Sequence, residues 1–179
     1  PVERVRAARR VTFIGSLPWP PNTEGILWFV REVWPAILRN HPDAILTVIG
    51  KDPPRELQAG PDLQLTGYVQ KLEPYLKETA VFIVPLLSGA GMRVKILDAW
   101  SWGLPVVSTT LGAEGVRYRR DEDVLIADAP RAFAAAVSRL LSDPERASKL
   151  GRAGRSSVQT RYDWRTTYKL WDRIYPQTR

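Results

Sequence analysis

Six short apolar runs, at 11–15, 44–50, 63–68, 80–86, 105–110 and 123–127, limit the fold more than any other feature of this chain. Their interiors read VTFIG, ILTVIG, VFIVPL, PVVST and VLIA, continuous and β-branched rather than alternating. Strands buried on both faces of a parallel sheet read this way. Helical stretches separate them, over 23–39, 72–78, 91–102 and 130–141, with two more over 144–160 and 164–174. In the first, Ile26, Phe29, Val30, Val33 and Ile37 recur at helical spacing. Strands alternating with helices predict an α/β domain whose helices cover a largely parallel sheet. A length of 179 residues fits one such domain.

Composition removes several chemistries. With no Cys and a single His, the chain has no thiolate nucleophile, disulfide, Fe–S cluster or multi-histidine metal centre. No apolar run approaches the ~18–20 residues of a membrane span. The N-terminus lacks the apolar core of a signal peptide, so a reducing, cytoplasmic location is expected. The formal charge of +7 invites a nucleic-acid reading. Yet residues 1–10 carry +3 and residues 145–179 carry +6, which leaves −2 for everything between. A nucleic-acid-binding core is therefore disfavoured.

Ligands of open α/β sheets bind at the carboxyl ends of the strands. The first strand runs into Gly15-Ser16-Leu17-Pro18-Trp19, the second into Gly50-Lys51-Asp52, the third into Gly67-Tyr68-Val69 and the fourth into Ser88-Gly89-Ala90-Gly91. The last loop leads into a helix whose first turn suits a phosphate. At 100° per residue Gly91, Lys95 and Asp98 share one stripe of it, a helix start, an ammonium and a carboxylate in line. Phosphates at the start and a ribose diol on the carboxylate would use that stripe, and Arg93 lies within the first turn. Lys95 and Asp98 would serve equally well as a surface ion pair of about a few tenths of a kcal/mol. The loop reads G-x-G-x-x-V, and no acidic residue ends the next strand, so a dinucleotide site is disfavoured.

The run GAGMRVKILDAWSWGLPVVSTTLGAEG resembles the signature of the family-4-type retaining glycosyltransferases of GT-B fold. Phe13-Ile14-Gly15-Ser16 with Pro21-Asn22-x-x-Gly25, Pro42-Asp43-Ala44 through Val48-Ile49-Gly50, Leu65-Thr66-Gly67-Tyr68-Val69, and Arg161-Tyr162-x-Trp164 agree with that family in order and spacing. The resemblance covers nearly the whole chain. It implies a single Rossmann-like domain of about six mostly parallel strands with helices on both faces, plus C-terminal helices. It further implies the donor-binding, C-terminal half of a two-domain enzyme that moves a hexosyl group from a nucleotide-diphosphate sugar. The fragment alone would then be inactive, with the acceptor-binding N-terminal domain as its missing partner. No metal and no other cofactor are implied.

Carried over by residue, Gly15, Ser16 and Gly50 approach the donor, and Val69 meets the base. Gly89, Ala90 and Gly91 line phosphate and sugar, and Asp98 stands where the family has a ribose-binding Glu. The family's sugar-contacting Glu falls on Ala90, and its usual basic residues after the first strand fall on Ser16 and near Glu24. Arg93 and Lys95 are expected to stabilise the diphosphate instead. Glu114 either touches donor sugar or caps a short helix. A non-catalytic nucleotide-binding module and a GT-B nucleotide-sugar epimerase remain the alternatives.

Outside the site, Trp28, Trp34, Trp100 and Trp102 are expected to pack, Trp19 to flank the site and His41 to take a surface role. Residues 1–10 read as a linker, 11–160 as the domain and 161–179 as a terminal helix returning toward the missing domain. The basic ends would also suit peripheral contact with an anionic membrane.

Overall fold

All six predicted strands form, and every pairing between them is parallel. A computed structural model describes residues 9–91 and 93–162. The strands are β1 (Arg10–Ile14), β2 (Ile45–Ile49), β3 (Leu63–Gly67), β4 (Thr79–Val84), β5 (Val106–Ser108) and β6 (Leu125–Ile126). Their spatial order is β3-β2-β1-β4-β5-β6. The chain builds outward from β1 in one direction, then returns and builds outward from β4 in the other.

Helices cover both faces because the strand residues divide by parity. Val11, Val81, Ile83 and Val107 enter one buried cluster with Ile26, Phe29, Ile37 and Phe133. Phe82, Val84 and Val106 enter the other with Leu76, Ile96 and Trp100. The first cluster belongs to α1 (Pro20–Trp28), α2 (Trp34–Asn40) and α5 (Pro130–Ser142); the second belongs to α3 (Glu73–Lys77) and α4 (Val94–Trp102). The helix α6 (Pro144–Arg161) begins over the first cluster through Ala147 and Leu150 and ends over the second through Val158.

The single helix expected over 23–39 begins earlier, at Pro20, and is interrupted by a π-helical segment, Phe29–Val33. Pro35, two residues past its end, has no N–H to give to the preceding turn, so the ladder widens there. Phe29 packs edge-on to Phe133, with centroids 5.7 Å apart, and tilts against Trp34 at 6.0 Å. Helix α6 meets α4 through glycine, since a Cβ on Gly154 would enter the Trp100 ring.

Four expectations change. Arg10 belongs to β1 rather than to a linker, and its guanidinium reaches Glu78, Thr47 and Gln64. His41 is 6% exposed and lies between Arg9 Nη1, 3.0 Å from Nδ1, and Ser142 Oγ, 3.5 Å from Nε2. It joins the α2–β2 turn to the end of α5 instead of facing solvent. Trp102 is exposed at the end of α4, whereas Trp100 is buried and donates to Asp123 O at 2.9 Å. Helix α4 starts at Val94, not at 91. The linker through 8 and the terminal helix beyond 162 lie outside the described residues.

Candidate functional site

The strand order reverses between β1 and β4, and at such a switch point open α/β sheets hold their ligand in the crevice beyond the carboxyl ends of the strands. Three segments surround it: the turn from β1 into α1, the loop from β4 into α4, and the first turn of α4.

Lys95 reaches across from α4 and donates from Nζ to Ile14 O at the last residue of β1, 2.9 Å away. Its Nζ also lies 5.1 Å from the centroid of the Phe13 ring. Gly15 makes this possible, because a Cβ there would sit 2.5 Å from Lys95 Nζ and 2.8 Å from Asn22 Nδ2. Two polar side chains from different helices thus converge over one residue without a side chain. Burial pulls the Lys95 pKa down to about 8, the positive charge of Arg93 adds to the effect, and Asp98 opposes it. No ion pair joins Lys95 to Asp98 among the described residues. The surface-pair alternative therefore does not describe Lys95. Asp98 stands on the exposed side of α4, and desolvation raises its pKa against the pull of Lys95.

Arg93 takes a different place from the one expected of a phosphate ligand. It is 5% exposed, and it donates to Gly89 O at 2.8 Å, Ala90 O at 3.3 Å and Leu111 O at 3.2 Å. Its Nη2 lies 3.5 Å from the Glu114 carboxylate. The guanidinium therefore shapes the 88–91 loop and ties it to the turn after β5. Of the two cations expected at a diphosphate, Lys95 is the one placed at the switch point. Glu114 pairs with Arg93 and is half exposed, and it caps the end of the short 3-10 turn Leu111–Ala113, its N–H donating to Leu111 O at 3.2 Å.

Gly89 and Gly91 have φ of +96° and +95°. That backbone cannot continue into a right-handed helix, so the stripe drawn through Gly91 begins instead on the loop. Ala90 is exposed between them and presents only a methyl group. Gly50 lies against Gly15 O, where a Cβ would collide, and its N–H donates to Gly67 O at 3.1 Å. Ser16 is exposed and accepts at its carbonyl from Asn22 Nδ2 at 2.8 Å. Val69 follows β3, two strand spacings or roughly 10 Å from β1. Gly15, Ser16 and Lys95 therefore meet at the switch point, Gly89 and Gly91 belong to the loop that leads into α4, Asp98 lies one helical turn beyond Lys95, Val69 lies out toward the sheet edge, and Gly50 packs against Gly15. Trp19 is 40% exposed, and the end of its ring would lie 3.4 Å from a Cβ on Gly89.

Two residues at the crevice were not singled out from the sequence. Asn22 is 2% exposed, and its Oδ1 has no hydrogen-bond partner. Glu24, two residues further along α1, accepts from Ser88 Oγ. The Pro21-Asn22-x-x-Gly25 pattern, and the family's basic position that falls near Glu24, pointed to this segment without giving either residue a role. Gly25 in that pattern lets α1 lie directly on Pro85 O.

A family model described as "Glycosyl transferases group 1" matches residues 8–143. The chain belongs to this family. It is 27% identical over 164 residues to an uncharacterized 44.6 kDa protein in the cps region of Klebsiella pneumoniae, a match over 86% of this chain and 42% of that one. It is 30% identical over 150 residues to a GDP-mannose-dependent alpha-(1-6)-phosphatidylinositol monomannoside mannosyltransferase of Mycolicibacterium smegmatis, over 74% of this chain and 39% of that one. The chain thus spans about two fifths of these curated relatives. Among solved structures it resembles the C-terminal domain of the group 1 glycosyltransferase LpcC of Francisella tularensis, with a TM-score of 0.70 at 18% identity, over 86% of this chain and 85% of that one. It also resembles Anabaena HepE in complex with UDP and glucose, with a TM-score of 0.72 at 12% identity, over 96% of this chain and 49% of that one. The fold is that of GT-B C-terminal domains.

Proposed function

We propose that this chain is the donor-binding half of a retaining glycosyltransferase that passes a hexosyl group from a nucleotide-diphosphate sugar to an acceptor in glycan or polysaccharide synthesis. The observation that carries the proposal is the Lys95 ammonium held at the end of β1. A partly buried cation whose pKa is depressed by burial costs stability, and such groups cluster where chemistry needs them. Set at a switch point, it can neutralise charge that develops on a leaving diphosphate. The first-turn N–H groups of α4 add partial positive charge from the same side. Asp98 takes the ribose hydroxyls, and Val69 approaches the base at the sheet edge. Arg93 positions the loop under the sugar.

Family membership and the partial coverage of the relatives support this reading, as does the solved LpcC domain of nearly the same extent. The acceptor-binding half would be a separate domain, and this half alone would bind donor without turning it over. The relatives' names include both a GDP-sugar and UDP, so the test is a thermal-shift panel of UDP-, GDP-, ADP- and CMP-sugars. Stabilisation grows as RT ln(1 + [L]/Kd), which makes even millimolar binding visible at high ligand concentration. At least one nucleotide should raise Tm in the wild type and not in Lys95→Met. No shift with any of them would overturn the proposal.

A further inference from the structure

We propose that Glu24 reads the sugar of the donor, accepting hydrogen bonds from its hydroxyl groups; the inference rests on the donor-binding reading above. The anionic part of a donor has no place at the start of α1. Pro20 and Pro21 have no N–H, and the N–H groups of Asn22 and Thr23 already donate to Trp19 O at 3.0 and 3.3 Å. The anionic groups are therefore drawn to the Lys95 ammonium and the start of α4, and Glu24, exposed on the α1 side beside the 88–91 loop, is left to meet the uncharged end of the ligand.

That side presents acceptors, which hydroxyl groups need. Glu24 is exposed, has no ion-pair partner among the described residues, and has one carboxylate oxygen engaged, by the neutral Ser88 hydroxyl. The loop opposite offers no rival. Ala90 has no polar side chain, the carbonyls of Gly89 and Ala90 are turned to Arg93, and Glu114 is held by the same guanidinium. On the α1 side of this rim Glu24 is a carboxylate with no cation paired to it among the described residues. Its helix lies close against the loop, as Pro21 Cγ would be 3.1 Å from a Cβ on Gly89.

Asn22 supplies an independent observation. It is almost fully buried beside Gly15, one face of its amide is satisfied by Ser16 O, and its Oδ1 accepts nothing. An unsatisfied buried acceptor on the same turn of α1 is costly unless a donor arrives. A polyhydroxyl ligand brings such donors, and a carboxylate accepting two neighbouring hydroxyls forms a charge-assisted pair.

The test is calorimetric titration of UDP, UDP-glucose, GDP and GDP-mannose into the wild type, Glu24→Gln and Glu24→Ala. The quantity read is the ratio of nucleoside diphosphate to sugar nucleotide affinity. Plain UDP and GDP should bind all three proteins alike, while the sugar nucleotide that the wild type prefers should weaken about tenfold in Glu24→Ala and less in Glu24→Gln. An unchanged ratio, or an equal loss for nucleotide and sugar nucleotide, overturns the assignment of Glu24. If the wild type binds none of the four, the donor-binding reading falls and this one with it. Glu24 is exposed, so both variants should keep the wild-type Tm.

Discussion

Replacing Lys95 by Met should stabilise the protein at neutral pH while removing its nucleotide affinity. The Lys95 pKa is about 8 in the folded protein against 10.5 for a free side chain. At ~1.4 kcal/mol per unit, the cost of holding it charged works out at about 3 kcal/mol at pH 7. The folded-state value is depressed, so between the two values the unfolded chain binds more protons and stability rises with pH. By pH 10 most of the penalty has gone, and the same linkage leaves about 1 kcal/mol. Met keeps much of the side-chain volume but strands the carbonyl of Ile14, which returns about 1 kcal/mol of the gain. Because Lys95 is only partly buried, solvent screening reduces the remainder further, to roughly 1–2 kcal/mol. For a domain of this size that is a Tm rise of about 3–6 °C at pH 7. Urea denaturation of both proteins at pH 7 and pH 10 measures the difference, and the advantage of Lys95→Met should narrow as pH rises. A variant less stable than wild type at pH 7, or an advantage that widens toward pH 10, would refute the claim that Lys95 is held charged at a cost.

Gly15→Ala should leave Tm within about 3 °C, because its Cβ meets the movable ends of Lys95 and Asn22. Nucleotide affinity should still fall about tenfold in titration, since the ammonium is pushed off the end of β1. Arg93→Ala removes donors from three carbonyls and the cation paired with Glu114, and should lower stability by about 2–4 kcal/mol in urea denaturation. Hydrogen exchange should then speed up at 88–91 and 111–114, and Arg93→Lys should recover only part of the loss. Gly154→Val drives a branched side chain into the Trp100 ring and should cost more than about 3 kcal/mol by thermal unfolding, with α6 losing protection first.

Much of the fold was legible because its causes are local. The β-branched runs set the strands, Gly103 and Pro105 stopped α4, and Pro144 opened α6. The π-helical segment before Pro35 was not, because periodicity alone reads through a widened turn. At the site, the glycine loop and Lys95 stood out by residue type. The environment of Arg93 did not, since sequence spacing says nothing of which carbonyls surround a guanidinium. His41 and Trp102 exchanged their expected exposures for the same reason: burial is decided by what α5 and α6 bring against them.

The sequence by itself determined the class of the domain, the family and the segments that border the crevice, because strand patterning and motif spacing act over short stretches of chain. Only the tertiary structure decided which charges face the ligand. It turned Arg93 inward to its own loop, brought Lys95 across to the last residue of β1, 81 positions away, and set Glu24 against Ser88. Those partnerships depend on parallel crossovers that join distant segments, and the charge of a side chain takes its meaning from the partners it meets there.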